Sequence, residues 1–156
     1  MSTTMNTHDA NNSNLGTVFM TYNGRRYAML NVRNFRATSS VVSTEVRPLG
    51  KMMASHKPTG MVLKFTMTVI KVSPVFDEIL DEFKRTGLLP TFDVQVSSND
   101  PASSTGTDSK IYRGCMIDGD VDLSMLSSDS GIIEQTISGY CEDYDIASKY
   151  TAPGYM

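Results

Sequence analysis

The stretch MVLKFTMTVIKVSPVFDEILDEFKRTG, Met61 to Gly87, changes its hydrophobic period halfway along, and that change limits the folds open to the chain. From Met61 to Val72, Leu63, Phe65, Met67 and Val69 alternate with Lys64, Thr66 and Thr68, the pattern of a strand with one apolar and one wet face. From Pro74 the period becomes helical: Val75, Phe76, Ile79, Leu80 and Phe83 form one stripe, and Asp77, Glu78, Asp81 and Glu82 lie opposite. Ser73 as N-cap, Pro74 in the first helical position and Gly87 beyond the last turn predict a helix over 74–86. Its acids come first and Lys84 and Arg85 last, which complements the helix dipole. A half-wet strand leading into one amphipathic helix points to a sheet with a single buried face and a helix packed outside it.

The remaining runs are β-like. Asn23-Gly24, between TVFMTY and RRYAMLNV, favours a type I′ hairpin turn, so Thr17–Tyr22 is expected to pair with a long, bulged strand Arg25–Val46. Thr91–Ser97, Lys110–Val121 and Gly131–Ile146 read as three more strands, with the turn-rich Ser98–Ser109 inserted after the first. The order ββ, long loop, β, α, βββ predicts a mainly β, sandwich- or barrel-like domain of about six strands over 16–146. Residues 1–15 are rich in Ser, Thr and Asn and read as a flexible arm, and 147–156 as an extended tail. The expected core contains Leu63, Phe65, Met67, Phe76, Ile79, Leu80, Phe83 and Cys115. Cys115 and Cys141 match neither a disulfide framework nor a metal spacing, and read as buried thiols.

VRPLGKMMASHKPTG, Val46 to Gly60, is at the upper limit for an ordinary connection, since structureless loops beyond about 12–15 residues are uncommon unless functional or disordered. It sets Arg47, Lys51, His56 and Lys57 beside Leu49, Met52 and Met53, a mixture of cation and grease that a purely solvated loop has no use for.

Charge and motif content narrow the function. A chain of 156 residues with net charge -3 has no overall basic field to hold nucleic acid, and no run approaches the roughly 18 apolar residues of a membrane helix, so no membrane anchor is expected. The two histidines are His8 and His56, and no nucleophile elbow, zincin helix or phosphate-binding glycine loop occurs; neither an enzyme nor a cofactor is expected. Asp118, Asp120 and Asp122 would share one strand face, joined by Glu142, Asp143 and Asp145, but the spacing lacks the glycine and bidentate glutamate of a calcium loop, so a solvated acidic face is preferred to a metal site. Arg25, Arg26, Arg33 and Arg36 interleave with Tyr27 and Phe35; a small nucleic-acid-binding β-barrel and a strand paired with neighbouring acids are both open readings.

Taken together, the GTV…NG hairpin, LGKMMASHKPTG followed by an alternating strand, KVSPVFDEILDEFKRTG leading to FDVQVSSNDPASSTG, and the Gly114–Glu134 segment resemble the tail tube proteins of contractile-tailed bacteriophages and of phage-derived bacteriocins, across roughly Gly16 to Ile146. The resemblance implies a structural virion protein of the viral tail that forms hexameric rings. Strands from each subunit would close one large β-barrel, and the rings would stack into a tube that conducts DNA. It implies as partners other copies of the chain, a tail sheath protein, baseplate and tail-terminator proteins, and transiently genomic DNA. The alternative within the same architecture is the tube of a bacteriocin or secretion device. On this reading Arg47, Leu49, Lys51, Met52, Met53, His56 and Lys57 become an inter-subunit or ring-stacking loop. Asp118 and Asp120 become candidate channel-lining acids, because a conduit must not grip phosphates.

Overall fold

The computed structural model describes residues 4–129 and 131–155. Among these, eight strands and one α-helix follow in the order β1 (Gly16–Tyr22), β2 (Arg25–Ala28), β3 (Val32–Val46), β4 (Ser55–Ile70), α1 (Val75–Thr86), β5 (Phe92–Asn99), β6 (Thr107–Ile117), β7 (Glu134–Cys141) and β8 (Asp143–Ser148). The strands pair antiparallel in the order β2-β1-β5-β6-β7-β4-β3, with β8 on β6. The fold is mainly β with one helix, as the alternating pattern implied.

The strand count exceeds six because two expected long strands are broken. The run from Arg25 to Val46 pairs with β1 only as far as Ala28. Met29 then donates to Val18 O (2.9 Å) and Val32 to Met29 O (3.3 Å), turning the chain away. Asn31 holds it to the end of β4, its side-chain amide donating to Ile70 O at 2.7 Å while Ile70 N donates to Asn31 O at 2.8 Å. The run from Gly131 to Ile146 breaks at Glu142, whose amide donates to Arg113 O (3.1 Å): β7 lies beside β4, and β8 lies beside β6. β6 itself bends at Gly114, where φ is 64°, so that its first part pairs with β5 and β8 and its last two residues with β7. These bends make the corner at which one sheet becomes the second, packed face to face with the first.

The long loop also needs correcting. Arg47–Ala54 lie between strands, but Ser55–Gly60 continue β4 and pair with β3 from Val42 to Val46. Pro58 and Gly60 looked like loop ends, yet Pro58 sits where β4 has a neighbour on one side only, the edge position at which a missing N–H costs no ladder bond. The extra residue, Thr59, forms a bulge between Val42 and Ser43 and donates its hydroxyl to Val42 O at 3.1 Å.

The helix starts one residue late. Pro74 is its N-cap, with no side-chain capping bond from Ser73, and Gly87 (φ 75°) closes it by donating to Phe83 O at 2.8 Å. Phe65, Met67, Phe76, Ile79 and Cys115 are buried, and Leu63 and Leu80 are half-buried. Phe83, expected in the core, is 47% exposed: the helix buries Val75, Phe76 and Ile79, and its later turns meet the sheets through the Tyr22–Glu82 bond rather than by burying Phe83. Across the core Phe65 meets Phe92 edge-on at 5.9 Å, and Phe76 meets Phe92 at 6.1 Å. The helix bridges both sheets: Tyr22 of β1 donates to Glu82 (2.8 Å), and Gln135 of β7 donates to Asp77 (3.0 Å). The segment expected as a flexible arm carries a short 3-10 turn, Thr7–Asp9. The Asp9 carboxylate accepts from Ser104 N, Ser104 Oγ and Tyr155 Oη, bonds that hold it below the ordinary carboxylate range.

Candidate assembly surface

The feature that stands apart from a closed sandwich is the β3–β4 hairpin. From Leu63 to Ile70, β4 is paired on both sides, with β3 and with β7, and it buries Phe65, Met67 and Val69. From Ser55 to Val62 it has β3 alone, and nothing in that half is buried. The outer half therefore projects as a two-stranded arm. Isolated two-stranded hairpins are marginal in water and their edges are templates for further pairing.

The arm's tip is apolar and cationic. Leu49 and Met52 are fully or almost fully exposed, Met53 is largely so, and Val41, Val42 and Met61 extend the grease along the strands. Lys51 donates to Ser55 Oγ and Arg47 pairs with Glu45 at 3.4 Å; Lys57 and His56 have no partner among the described residues. The structure thus groups all seven tip residues singled out from the sequence, although His56 and Lys57 lie on β4 rather than in the loop.

One face of the second sheet is core and the other is open. Direct partners across the ladders share a face, so Thr38 and Arg36 of β3, Lys64, Thr66 and Thr68 of β4, and Tyr140, Ser138 and Thr136 of β7 form an open, hydroxyl-rich surface. Lys64 lies over the Tyr140 ring at 6.0 Å from its centroid. The path of strands ends at β3, whose outer edge has no strand beside it among the described residues. At the other margin of this sheet, β6 contributes only Met116 and Ile117.

The aspartates do not share a strand face. β6 ends at Ile117, and Asp118 continues the register with a bond from its amide to Ser138 O (2.9 Å). Gly119 (φ 93°) then turns the chain out of the sheet, so Asp120 and Asp122 lie in the following segment. A glycine placed between alternating acids was the signal for this turn. Nor do the four arginines form one platform: Arg25 stacks on Tyr27 (5.0 Å), Arg26 on Phe19 (4.3 Å), and Arg33 forms an ion pair with Glu134. Cys115 and Cys141 are buried side by side, their sulfurs 2.9 Å apart; this contact, together with burial, pushes the Cys115 thiol up, and the same contact draws the Cys141 thiol down. Neither thiol reaches solvent freely enough to act as a nucleophile.

The chain thus presents an antiparallel two-sheet body with one helix, an open polar sheet face and a projecting edge-strand arm. The chain matches the phage tail tube protein family over residues 3–147, and it belongs to that family. It is 28% identical over 124 residues to the phage-like element PBSX protein XkdM of Bacillus subtilis (strain 168), covering 78% of this chain and 82% of that one. Among solved structures it superposes on a chain of the anti-feeding prophage baseplate, 6-fold symmetrised, with TM-score 0.61 and 12% identity over 94% of this chain and 97% of that one. It also superposes on a chain of the sheath–tube complex of an extracellular contractile injection system, PVC, in the extended state, with TM-score 0.60 and 11% identity over 84% and 88% of the two chains. The protein is accordingly a structural tail tube subunit of the virion tail, not an enzyme.

Proposed function

We propose that six copies close into a ring through the open edges of the second sheet, and that rings stack into a tube whose lumen conducts phage DNA toward the host cell. The carrying observation is that this sheet has one buried face, one open hydroxyl-rich face and a bare β3 edge. Head-to-tail pairing that closes by rotation gives a ring and removes exposed edges. The open face, with Thr66, Thr68, Thr136 and Ser138, is the channel wall. Threonine and serine carry no charge and so release no counterions from phosphate, and the wall's cations Lys64 and Arg36 are few and share the face with Asp118, which continues the same register. Asp120 stands at the margin of that wall.

The arm carrying Arg47, Leu49, Lys51, Met52, Met53, His56 and Lys57 contacts neighbouring subunits. Sheath, baseplate and tail-terminator proteins are the remaining partners, a reading supported by neighbours taken from a baseplate, a sheath–tube complex and a tube-terminating cap. The tube of a bacteriocin or injection device, without genome, is the second reading, supported by the fold neighbour from an extracellular contractile injection system. Electron microscopy of the purified protein tests the proposal: six-membered rings or stacked tubes with an open channel are expected, and a strictly monomeric protein at high concentration overturns it. DNA recovered from particles that contain the tube separates the phage from the genome-free device.

A further inference from the structure

Two exposed surfaces of mixed chemistry lie at opposite ends of β4. One is the arm tip, where Lys51 and Lys57 stand beside Leu49 and Met52. The other is the irregular segment 118–129, which leads from the end of β6 past the far end of β4. Gln135 Nε2 donates to Asp122 O (2.8 Å), and Lys71, one residue beyond β4, donates its ammonium to Leu123 O, so the segment is tied to that end. It exposes Leu123, Met125 and Leu126, the last at 93%, among Asp118, Asp120, Asp122 and Asp129.

Most of the other acidic side chains are already committed, Glu78 of α1 and Glu142 being the exceptions. On α1, Asp77 holds Lys71 (3.0 Å) and Gln135, Asp81 holds Arg85 (3.2 Å), and Glu82 accepts from Tyr22; at β8, Asp145 holds Arg113 (2.6 Å). The carboxylates of Asp118, Asp120, Asp122 and Asp129 have no partner among the described residues, and they alone are set among exposed leucine and methionine side chains. We propose that segment 118–129 is the receptor for the arm tip of another copy, with Met52 and Leu49 packing on Leu123, Met125 and Leu126 and the tip lysines meeting the free aspartates. Sixteen residues of β4 span about 50 Å at roughly 3.3 Å per residue, so tip and receptor of one chain never meet. The contact must therefore join two copies, and made head to tail it closes into a ring or propagates from copy to copy into a filament. Flexible methionine suits an irregular groove, and the opposite charges set register.

This inference rests on the tube reading, and its test separates the two. Assembled tubes and unassembled protein are treated with a carbodiimide, which joins lysine to carboxylate only at contact distance, and the joined peptides are mapped by mass spectrometry. The Lys71–Asp77 pair is the internal control. Links from Lys51 or Lys57 to Asp120, Asp122 or Asp129 are expected in tubes and lost in unassembled protein. Tubes in which those lysines join α1 carboxylates, or join nothing, overturn the receptor while leaving the tube intact. A native protein that never forms tubes overturns both. As a second measurement, Lys51→Glu with Lys57→Glu is expected to stop tube growth, and adding Asp122→Lys with Asp129→Lys in the same chain is expected to restore it. Failure to restore growth by a double-reversed chain with native thermal stability counts against the receptor.

Discussion

β4 is one continuous strand with two different lives. Its inner half, Leu63 to Ile70, is flanked by β3 and β7 and sets Phe65, Met67 and Val69 in the core at no more than 2% exposure. Its outer half, Ser55 to Val62, has a single neighbour and no buried side chain. Burial of a large apolar side chain contributes about 1.5–3 kcal/mol, whereas an exposed two-stranded ladder barely offsets the entropy of ordering it. The inner half is thus stabilised by the fold. On the tube proposal, the ordering of the outer half is offset by contacts with a second copy.

Substitutions that separate the halves follow in order of size. Phe65→Ala, which removes a ring stacked against Phe35 and edge-on to Phe92, is expected to cost about 3–5 kcal/mol in chemical denaturation of the unassembled protein. Gly139→Ala is expected to cost less. Gly139 pairs with Phe65 on the core side, and an added Cβ would meet Met116 O at 1.8 Å, so the corner between the sheets must open, at about 1–3 kcal/mol. The helix provides an internal contrast: Phe76→Ala should approach the cost of Phe65→Ala, while the half-exposed Phe83→Ala should cost roughly 1 kcal/mol, and equal losses would contradict the observed packing. At the arm tip Met52→Asp is expected to leave thermal stability unchanged to within about 0.5 kcal/mol and still abolish tube growth, as seen by electron microscopy.

The smallest effect is one of pH. The buried Cys115 thiol titrates above its unfolded value, so the unfolded chain loses that proton first. Stability from this group is complete below about pH 8.5 and falls as pH rises beyond it. Because Cys141 is drawn down only by its bond to Cys115 and is otherwise raised by burial, the pair must be replaced together: Cys115→Ala with Cys141→Ala should flatten that decline in alkaline denaturation curves, and an unchanged slope would mean the pair does not hold its proton.

The sequence announced the periodic elements clearly. Leu63 to Val69 and Val75 to Ile79 fell where their alternation and stripe placed them, because burial of one face leaves a period that no tertiary contact can erase. Corners were illegible. Nothing local marks Met29–Asn31 as the point where the chain abandons β1, since the reason is a bond from Asn31 to Ile70, far away in sequence. Glu142 likewise breaks a strand only because β7 and β8 belong to different sheets. Pro58 and Gly60 misled for a related reason: a proline is a loop signal inside a sheet but is tolerated on a bare edge, and edges are a property of topology. The composition of the arm tip was visible at once, but its distance from segment 118–129 needed the strand that separates them.

Hydrogen exchange across β4, in unassembled protein and in tubes, tests most directly the claim that the arm is completed only between copies. Amides from 63 to 70 are expected to be protected in both states, and those from 55 to 62 to exchange quickly in the unassembled chain and become protected in tubes. Equal exchange of residues 55–62 in the two states would contradict the account.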